Sequence, residues 1–286
     1  MEGELWKGVY PIVVELGKQY HLPHKQFADW WIVMTFLWAV LHDRPMNWAC
    51  DSRHWPAEQR YWQLPSPSTL SRRLRTPTVH QLLHSVEQTL SQRFPHSWCK
   101  WIDTLPLPVG GATEDPDAHL GRAVDTMAKG YKLHAICDAR MGIEAWDIRP
   151  MNVNEKPVAM VLIPCLAGQE GYLVGDSQYD SSRLYDVAAE AGFQLVAPKR
   201  KGRGFGNHYL SPYRLRAIEL QHHPFGGYLL HRRASIDRFW GQWGNYGAGF
   251  KPLPHWVRRM WRVRLWIQGK IILNSVRLAL KQRLIA

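Results

Sequence analysis

The chain has 286 residues, 45% of them hydrophobic and 21% charged, which is the make-up of a globular protein with apolar mass for one large core or two smaller ones. Its 36 Lys and Arg against 24 Asp and Glu give a net charge of +12, and that excess calls for a polyanionic partner, most simply nucleic acid. The longest apolar run, Trp30 to Leu41, is too short to cross ~30 Å of hydrocarbon, so no membrane association is expected. The N-terminus, Met-Glu-Gly-Glu-Leu, has no basic stretch ahead of an apolar one and does not read as a signal peptide. Cys50, Cys99, Cys137 and Cys165 lie far apart with no CxxC, which argues against a disulfide framework or a Cys-rich zinc site and for a reducing, cytoplasmic setting.

Charge is unevenly spread. Residues 1–95 hold 10 basic and 8 acidic residues, residues 96–198 hold 8 and 14, and residues 199–286 hold 18 and 2. The only carboxylates of the last third are Glu219 and Asp237. Arg outnumbers Lys by 24 to 12, which favours phosphate, because a guanidinium binds it bidentately.

Residues 1–95 read as helical. Phe27 to His42 is a dense apolar block of helix length, and Asp43 to Pro67 is a loop rich in Pro, Asp and Trp. Ser66 or Ser68 then caps a short helix presenting Arg72, Arg73 and Arg75, followed by an amphipathic stretch from Val79 to Leu90. A short capped helix with arginines, set between two others, suits the recognition element of a helix-turn-helix as well as it suits an ordinary surface helix.

From Trp98 the pattern changes. Trp98–Leu105, Tyr131–Ala139 and Ile143–Met151 read as three successive strands. Helix is expected over Pro157–Leu166, strand over Tyr172–Gly175, helix over Ser182–Ala191 and strand over Phe193–Ala197. This order gives an α/β fold with a mixed sheet. Residues 199–207, KRKGRGFGN, form a basic Gly-rich loop whose Lys199, Arg200, Lys201 and Arg203 suit phosphates; no helix with an acidic partner follows, so it is not a dinucleotide fingerprint. Leu230–Trp243 is expected to be one helix. Trp256–Leu284 is a basic amphipathic helix carrying Arg258 and Arg262, with Trp261, Leu265, Ile272, Val276 and Leu280 along one side.

Two acids stand where apolar lead-ins deliver them to strand ends: Asp103 after Trp101-Ile102, and Asp176 after Leu173-Val174-Gly175. Asp237 differs, being on a helix among Arg232, Arg233 and Arg238; taken alone it is as readily an ion-pair partner as a ligand. Three carboxylates brought together repel, by ~4 kcal/mol per pair at 4 Å and an effective dielectric of about 20. A divalent cation removes that cost, and all-oxygen ligands select Mg²⁺ or Mn²⁺ over zinc.

The motifs run in order Ile102-Asp103-Thr-Leu-Pro, Gly130-Tyr131-Lys132-Leu133-His134, Gly175-Asp176-Ser177-Gln178-Tyr179-Asp180-Ser181, Ala197-Pro198-Lys199-Arg200 and Arg233-Ala-Ser-Ile236-Asp237-Arg238-Phe239. This series resembles the DDE transposases of bacterial insertion sequences, over roughly residues 98–245. The resemblance implies an RNase H-like mixed-sheet catalytic core (96–250), a helical N-terminal DNA-binding region (1–95) and a basic amphipathic C-terminal helical segment (251–286). By the same resemblance Asp103 and Asp176 are the first two acids and Asp237 stands in the place of the third, usually Glu. Together they hold Mg²⁺ or Mn²⁺, as a pair of ions, for cleavage at element ends and strand transfer into target DNA. Arg233, Arg238 and Lys132 are then phosphate contacts, with His134 a weaker one. The partners are double-stranded DNA, as terminal inverted repeats and target, and a second copy of the chain in the DNA complex; the setting is the bacterial nucleoid.

The sequence departs from the family pattern in places. Asp176-Ser177-Gln178-Tyr179 replaces the common Asp-Lys-Gly-Tyr, and Asn154-Glu155 stands where an Asp–His pair is often found. Of the Tyr, Arg, Glu and Lys that surround the third acid in some relatives, Arg233 and Asp237 fit, while Leu230 and Gly244 occupy the Tyr and Lys places. Glu155 and Glu219 compete with Asp237 for the third role. Two other readings use the same residues: an RNase H-like nuclease without strand transfer, and an inactive transposase-derived DNA-binding protein. A serine hydrolase built on Gly175-Asp176-Ser177 fails because its Asp-x-x-His pair, Asp51 to His54, lies before the serine. A metal site of His208, His222 and His223 has no partner spacing.

Overall fold

A computed structural model describes residues 2–20, 26–111, 113–123, 125–138, 142–199, 210–233, 235–244, 249–250 and 253–285. The first segment folds as helices α1 (Glu2–Lys18), α2 (Asp29–Leu41), the one-turn α3 (Met46–Ala49), α4 (Pro67–Arg73) and α5 (Pro77–Ser91). In α2 apolar side chains point in every direction, and all but Trp30 are buried, so the helix takes the centre of this layer rather than its surface. Proline opens both α4 and α5, where its missing N–H costs nothing, and the Ser66 hydroxyl caps α4 by accepting from Thr69 N at 3.2 Å.

The sheet follows: β1 (Cys99–Pro108), β2 (His119–Arg122), β3 (Met127–Asp138), β4 (Ile143–Pro150), β5 (Gly171–Val174) and β6 (Phe193–Val196). β2 and β4 both pair antiparallel with β3, β3 pairs antiparallel with β1, and β1, β5 and β6 run parallel. The strand order β4-β3-β1-β5-β6 is the mixed RNase H-like arrangement. β2, which sequence reading did not find, is a short edge strand whose HLGR shows no apolar alternation.

Alternation along β1 sends neighbouring residues to opposite faces. Trp101, Leu105 and Leu107 join the core shared with the N-terminal helices, whereas Ile102 packs with Ile136 and Ala145 under α6 (Glu155–Leu162) and α7 (Ser182–Glu190). Pro164 turns the end of α6 into a 3-10 turn over Ile163–Leu166, so the helix expected to run through Leu166 stops at Leu162.

After β6 come α8 (Pro212–Gln221), α9 (Pro224–Arg232), α10 (Ser235–Gly244) and α11 (Met260–Lys281). The single helix expected over Leu230–Trp243 is therefore two. Arg232 and Arg233 interrupt the apolar stripe that Leu229, Ile236, Phe239 and Trp243 would otherwise make continuous, and the chain turns at Arg233. Asp237 and Arg233 consequently do not share one helix. α11 is more deeply packed than an amphipathic pattern implies: Val263, Leu265–Ile267 and Gly269–Val276 are buried against α1, α2, α5 and β4. Even its Lys270 is enclosed, paired with Asp43, and Arg264 reaches Asp147 on β4. Among the described residues, no helix is long and apolar enough to cross a membrane.

Candidate active site

The parallel pairing of β1 with β5 builds the centre. Cys99 lies opposite Tyr172 and Trp101 opposite Val174. Two residues beyond the last pair, Asp103 on β1 and Asp176 just past the end of β5 are close enough for the charge of Asp176 to be felt at Asp103. Gly175 permits the close approach, because a Cβ there would meet Tyr179 Cδ2 at 2.9 Å and Ile102 Cγ2 at 3.1 Å. Asp176 is fixed as the cap of a 3-10 turn, its Oδ1 accepting from Gln178 N at 2.8 Å. Asp180, four residues on, is gripped by the Arg214 guanidinium at 2.7 and 2.9 Å, which ties α8 to the same turn.

Electrostatics single out Asp103. Burial pushes its carboxyl up to about 6; a hydrogen bond from Trp240 and one from the Thr104 backbone oppose the rise, and the charges of Asp176 and Glu155 add to it. Tyr179 lies buried beneath, its phenol pushed well above the usual range by burial and then by Asp103, Glu155 and Asp176. It is a neutral core residue, not a nucleophile.

Glu155 is thus drawn into the centre. It is the first residue of α6, whose N-cap Asn154 accepts from Lys156 N at 3.0 Å. Its Oε1 accepts from Thr104 Oγ1 at 3.3 Å and from Lys132 Nζ at 3.2 Å. Lys132, read from the sequence as a phosphate contact, is here the counter-ion of Glu155. His134, two residues along β3, is buried with Nε2 unbonded; burial first, then Lys132, pulls its imidazole down to about 4, so it is neutral at physiological pH.

Asp237 lies exposed in the first turn of α10. Three residues later, on the same side of the helix, Trp240 donates Nε1–H to Asp103 Oδ2 at 2.9 Å. α10 is seated by the buried Ile236, Phe239 and Trp243, with Phe250 stacked on Trp243 at 13°. Neither Trp240 nor Thr104 was found from the sequence. The signal for Trp240 was its place one turn beyond Asp237; nothing local marked Thr104.

The basic candidates divide. Arg73 turns inward to the fully buried carboxylate of Asp29, and Arg258 donates to the carbonyls of Pro254, Val257 and Val109. Arg72, Lys199, Arg233 and Arg238 are exposed. Arg75, from the α4–α5 turn, and Arg262, from α11, both lie over the Trp261 ring, at 4.8 and 5.0 Å, so the two ends of the chain present one basic surface. Arg200, Lys201 and Arg203, and with them most of the Gly-rich loop, lie outside the described residues, as does His208.

All-oxygen donors and a carboxyl held up by burial and like charge fit a hard divalent cation better than any softer metal. Asp103 and Asp176 are the pair placed to begin such a site. Among the described residues, no three His, Cys, Asp or Glu side chains are grouped to hold one ion.

Comparison with known proteins agrees with this geometry. A family model described as "Transposase DDE domain" matches residues 101–261, which takes in β1 with Asp103, the β5 turn with Asp176 and α10 with Asp237. The chain belongs to this family of DDE-type transposases, whose members generally use divalent metal ions. Among solved structures, the cryo-EM structure of the piggyBac transposase synaptic complex with hairpin DNA is similar at 11% identity, covering 95% of this chain and 73% of that one, with a TM-score of 0.47. The crystal structure of a pre-cleavage Mos1 transpososome is similar at 14% identity, covering 90% and 79%, with a TM-score of 0.22. Comparison with curated proteins finds no match.

Proposed function

We propose that this transposase cleaves DNA at the ends of its mobile element and joins the freed ends to target DNA, with Asp103, Asp176 and Asp237 holding two Mg²⁺ or Mn²⁺ ions. The observation that carries the reading is the closeness of Asp103, on β1, to Asp176, just past the end of the parallel neighbour β5, inside the matched family region. Bound there, the ions would supply an activated water or 3′-hydroxyl and stabilise the leaving oxygen. The protein's own part is positioning. Trp240 orients Asp103 and the Gln178 amide orients Asp176, while Asp237 would come from the same helix as Trp240. Lys132 keeps Glu155 neutralised beside the pair.

DNA binding follows from the basic last third of the chain and from the surface that joins Arg75 to Arg262 through Trp261. Arg72, Lys199, Arg233 and Arg238 are exposed and would add phosphate contacts, and a homodimer would hold two element ends together. Four unpaired cysteines accord with a bacterial cytoplasm, the enzyme working at the nucleoid.

The test is nicking of supercoiled plasmid carrying the element's terminal repeats in Mg²⁺. Asp103→Asn and Asp176→Asn each abolish nicking and leave DNA binding intact. Joining of a labelled terminal-repeat oligonucleotide to target plasmid separates a transposase from a nuclease without strand transfer. Wild-type protein that neither nicks nor joins would identify an inactive DNA-binding relative.

A further inference from the structure

At the opposite end of β1 and β5 from the carboxylates, four aromatic rings meet at the surface. Trp98, just before β1, stacks on Phe225 of α9 at 23°, and Phe225 stacks on Tyr228 at 24°. Tyr172 of β5 sets its ring edge-on against Trp98 and Phe225, at 88° and 74°. The guanidinium of Arg232 closes the row, lying 5.5 Å from the Tyr228 ring centre and donating to its hydroxyl at 2.8 Å. The row is open to solvent: Trp98 is 46% exposed, Phe225 40% and Tyr228 48%. Asp103 lies five residues on from Trp98 along β1, or ~17 Å, so this shelf is not part of the carboxylate centre.

The geometry points to a second nucleic-acid site, a stacking platform for unpaired bases. A row of solvent-exposed, near-parallel rings with a guanidinium at its end is what single-stranded nucleic acid uses, since every base has a π-face that can extend such a row and the charge follows its backbone. The surroundings favour a polyanion. α9 contains no Asp or Glu and ends in His231 and Arg232, with Arg233 next; the acid nearest in sequence to any of the four rings is Glu170. Size argues against a protein partner. With aromatic side chains burying at most about 250 Å² each, the exposed parts of the three rings amount to roughly 300 Å². Doubled across two copies, that is about half the area of a stable protein interface. A few stacked bases need no more than the shelf offers.

The proposal rests on DNA being the substrate but not on the carboxylates being catalytic, and the test keeps the two apart. The probe is an oligothymidine of about 12 nucleotides with one 2-aminopurine, titrated with the full chain in EDTA, alongside a duplex of random sequence. The wild type and Asp103→Asn should bind the single strand equally and quench or shift its 2-aminopurine signal. Tyr228→Ala and Phe225→Ala should each weaken single-strand binding about tenfold and abolish the signal change. Tyr228→Phe should restore both, and duplex binding should change less than twofold in every variant. Thermal melting confirms that the exposed-ring variants are folded. Unchanged single-strand affinity in a folded Tyr228→Ala, Phe225→Ala double variant overturns the platform. So does a shift from dimer to monomer in sedimentation, which would make the row a protein interface. Single-strand binding of this pattern in a wild type that never nicks plasmid would leave the platform standing and refute the catalytic reading alone.

Discussion

Trp240 Nε1 donates to Asp103 Oδ2 across 137 residues of sequence, and this bond joins α10, which carries Asp237, to β1, which carries Asp103. A donor on one carboxylate oxygen fixes the rotamer and leaves the other lone pairs facing the neighbouring acids. Loss of such outer partners at metal sites typically costs 10–100-fold in affinity or activity. Trp240→Phe keeps most of the ring volume and removes the N–H. It is expected to raise the Mg²⁺ concentration that half-saturates nicking about tenfold, with a smaller change in the rate at saturating metal. An unchanged metal titration would mean that Asp103 is held without Trp240.

The raised carboxyl of Asp103 makes a prediction about the metal-free protein. Its folded pKa of about 6 lies above the unfolded value, so between the two the folded state binds more protons. Stability from this group is therefore lost as pH rises through about 6, and is regained on acidification toward the unfolded pKa. The shift is worth on the order of 2 kcal/mol once screening of a carboxylate that keeps some solvent contact is allowed for. In EDTA, Asp103→Asn should melt higher than the parent at pH 7.5 and converge with it near pH 4.5. Parallel melting curves across this range would show that Asp103 is not strained by its neighbours.

The strands beside Asp103 and Asp176 were legible in the sequence as short apolar runs leading to an acid, but β1 runs on through Pro108, so Asp103 lies in mid-strand and only Asp176 stands past a strand end. The helix expected at Phe27–His42 appears as α2, since a run that is apolar all round has to be central. What was not legible depended on partners distant in sequence. Glu155 was legible as a competitor for the third role, but its partners were not: only the folding of α6 against β1 brings it to Thr104 and Lys132. Arg73 sits in a run of arginines that looks like a binding face, yet the side chain is used by Asp29 of another helix. The break at Arg233 was hidden because the arginines that interrupt the stripe were read as phosphate contacts rather than as a stop.

Arg72 and Arg73 are neighbours with opposite expected behaviour. Asp29 has no exposure at its side chain, so Arg73→Ala removes the counter-charge of a buried carboxylate, which costs about 3–5 kcal/mol. The variant should melt well below the parent. Arg72 is exposed, and Arg72→Ala should move stability by less than ~0.5 kcal/mol. If Arg72 reads a base, its loss relaxes the footprint at one position and costs ~1–3 kcal/mol of binding. An Arg73→Ala protein that melts normally and loses sequence preference would reverse the two roles.

The basic surface can be tested without touching either acid cluster. Arg75 and Arg262 flank one indole from opposite ends of the chain. If both neutralise phosphates, changing both to Glu removes two contacts, and the slope of log K against log salt should flatten by about 1.8. Arg258, whose guanidinium is taken up by three carbonyls, serves as the control: its replacement should alter melting more than the salt slope. A slope unchanged in the Arg75→Glu, Arg262→Glu pair would place the DNA elsewhere.

The third acid is the sharpest choice that the site poses. Glu155 is the nearer candidate by charge, since its carboxylate is felt at both Asp103 and Tyr179. It is also already satisfied, by Lys132 Nζ at 3.2 Å and Thr104 Oγ1 at 3.3 Å, and withdrawing it would strand a half-buried lysine. Asp237 is exposed and stands one turn from Trp240, whose indole N–H is bonded to Asp103, so it is the candidate that α10 places nearest to Asp103 along that helix. Its side chain is one methylene shorter than Glu, so the helix has to sit closer than it would for Glu. Asp237→Ala should abolish Mg²⁺-dependent nicking and leave DNA binding intact or tighter, because a negative charge leaves a phosphate site. Asp237→Glu should keep activity, the longer arm offsetting the distance. Glu155→Gln should reduce nicking about tenfold without abolishing it, through the loosened Lys132, and Glu219→Ala should behave as the parent. A dead Glu155→Gln beside a fully active Asp237→Ala would assign the third ligand to α6. α10 would then contribute to the site through Trp240 alone.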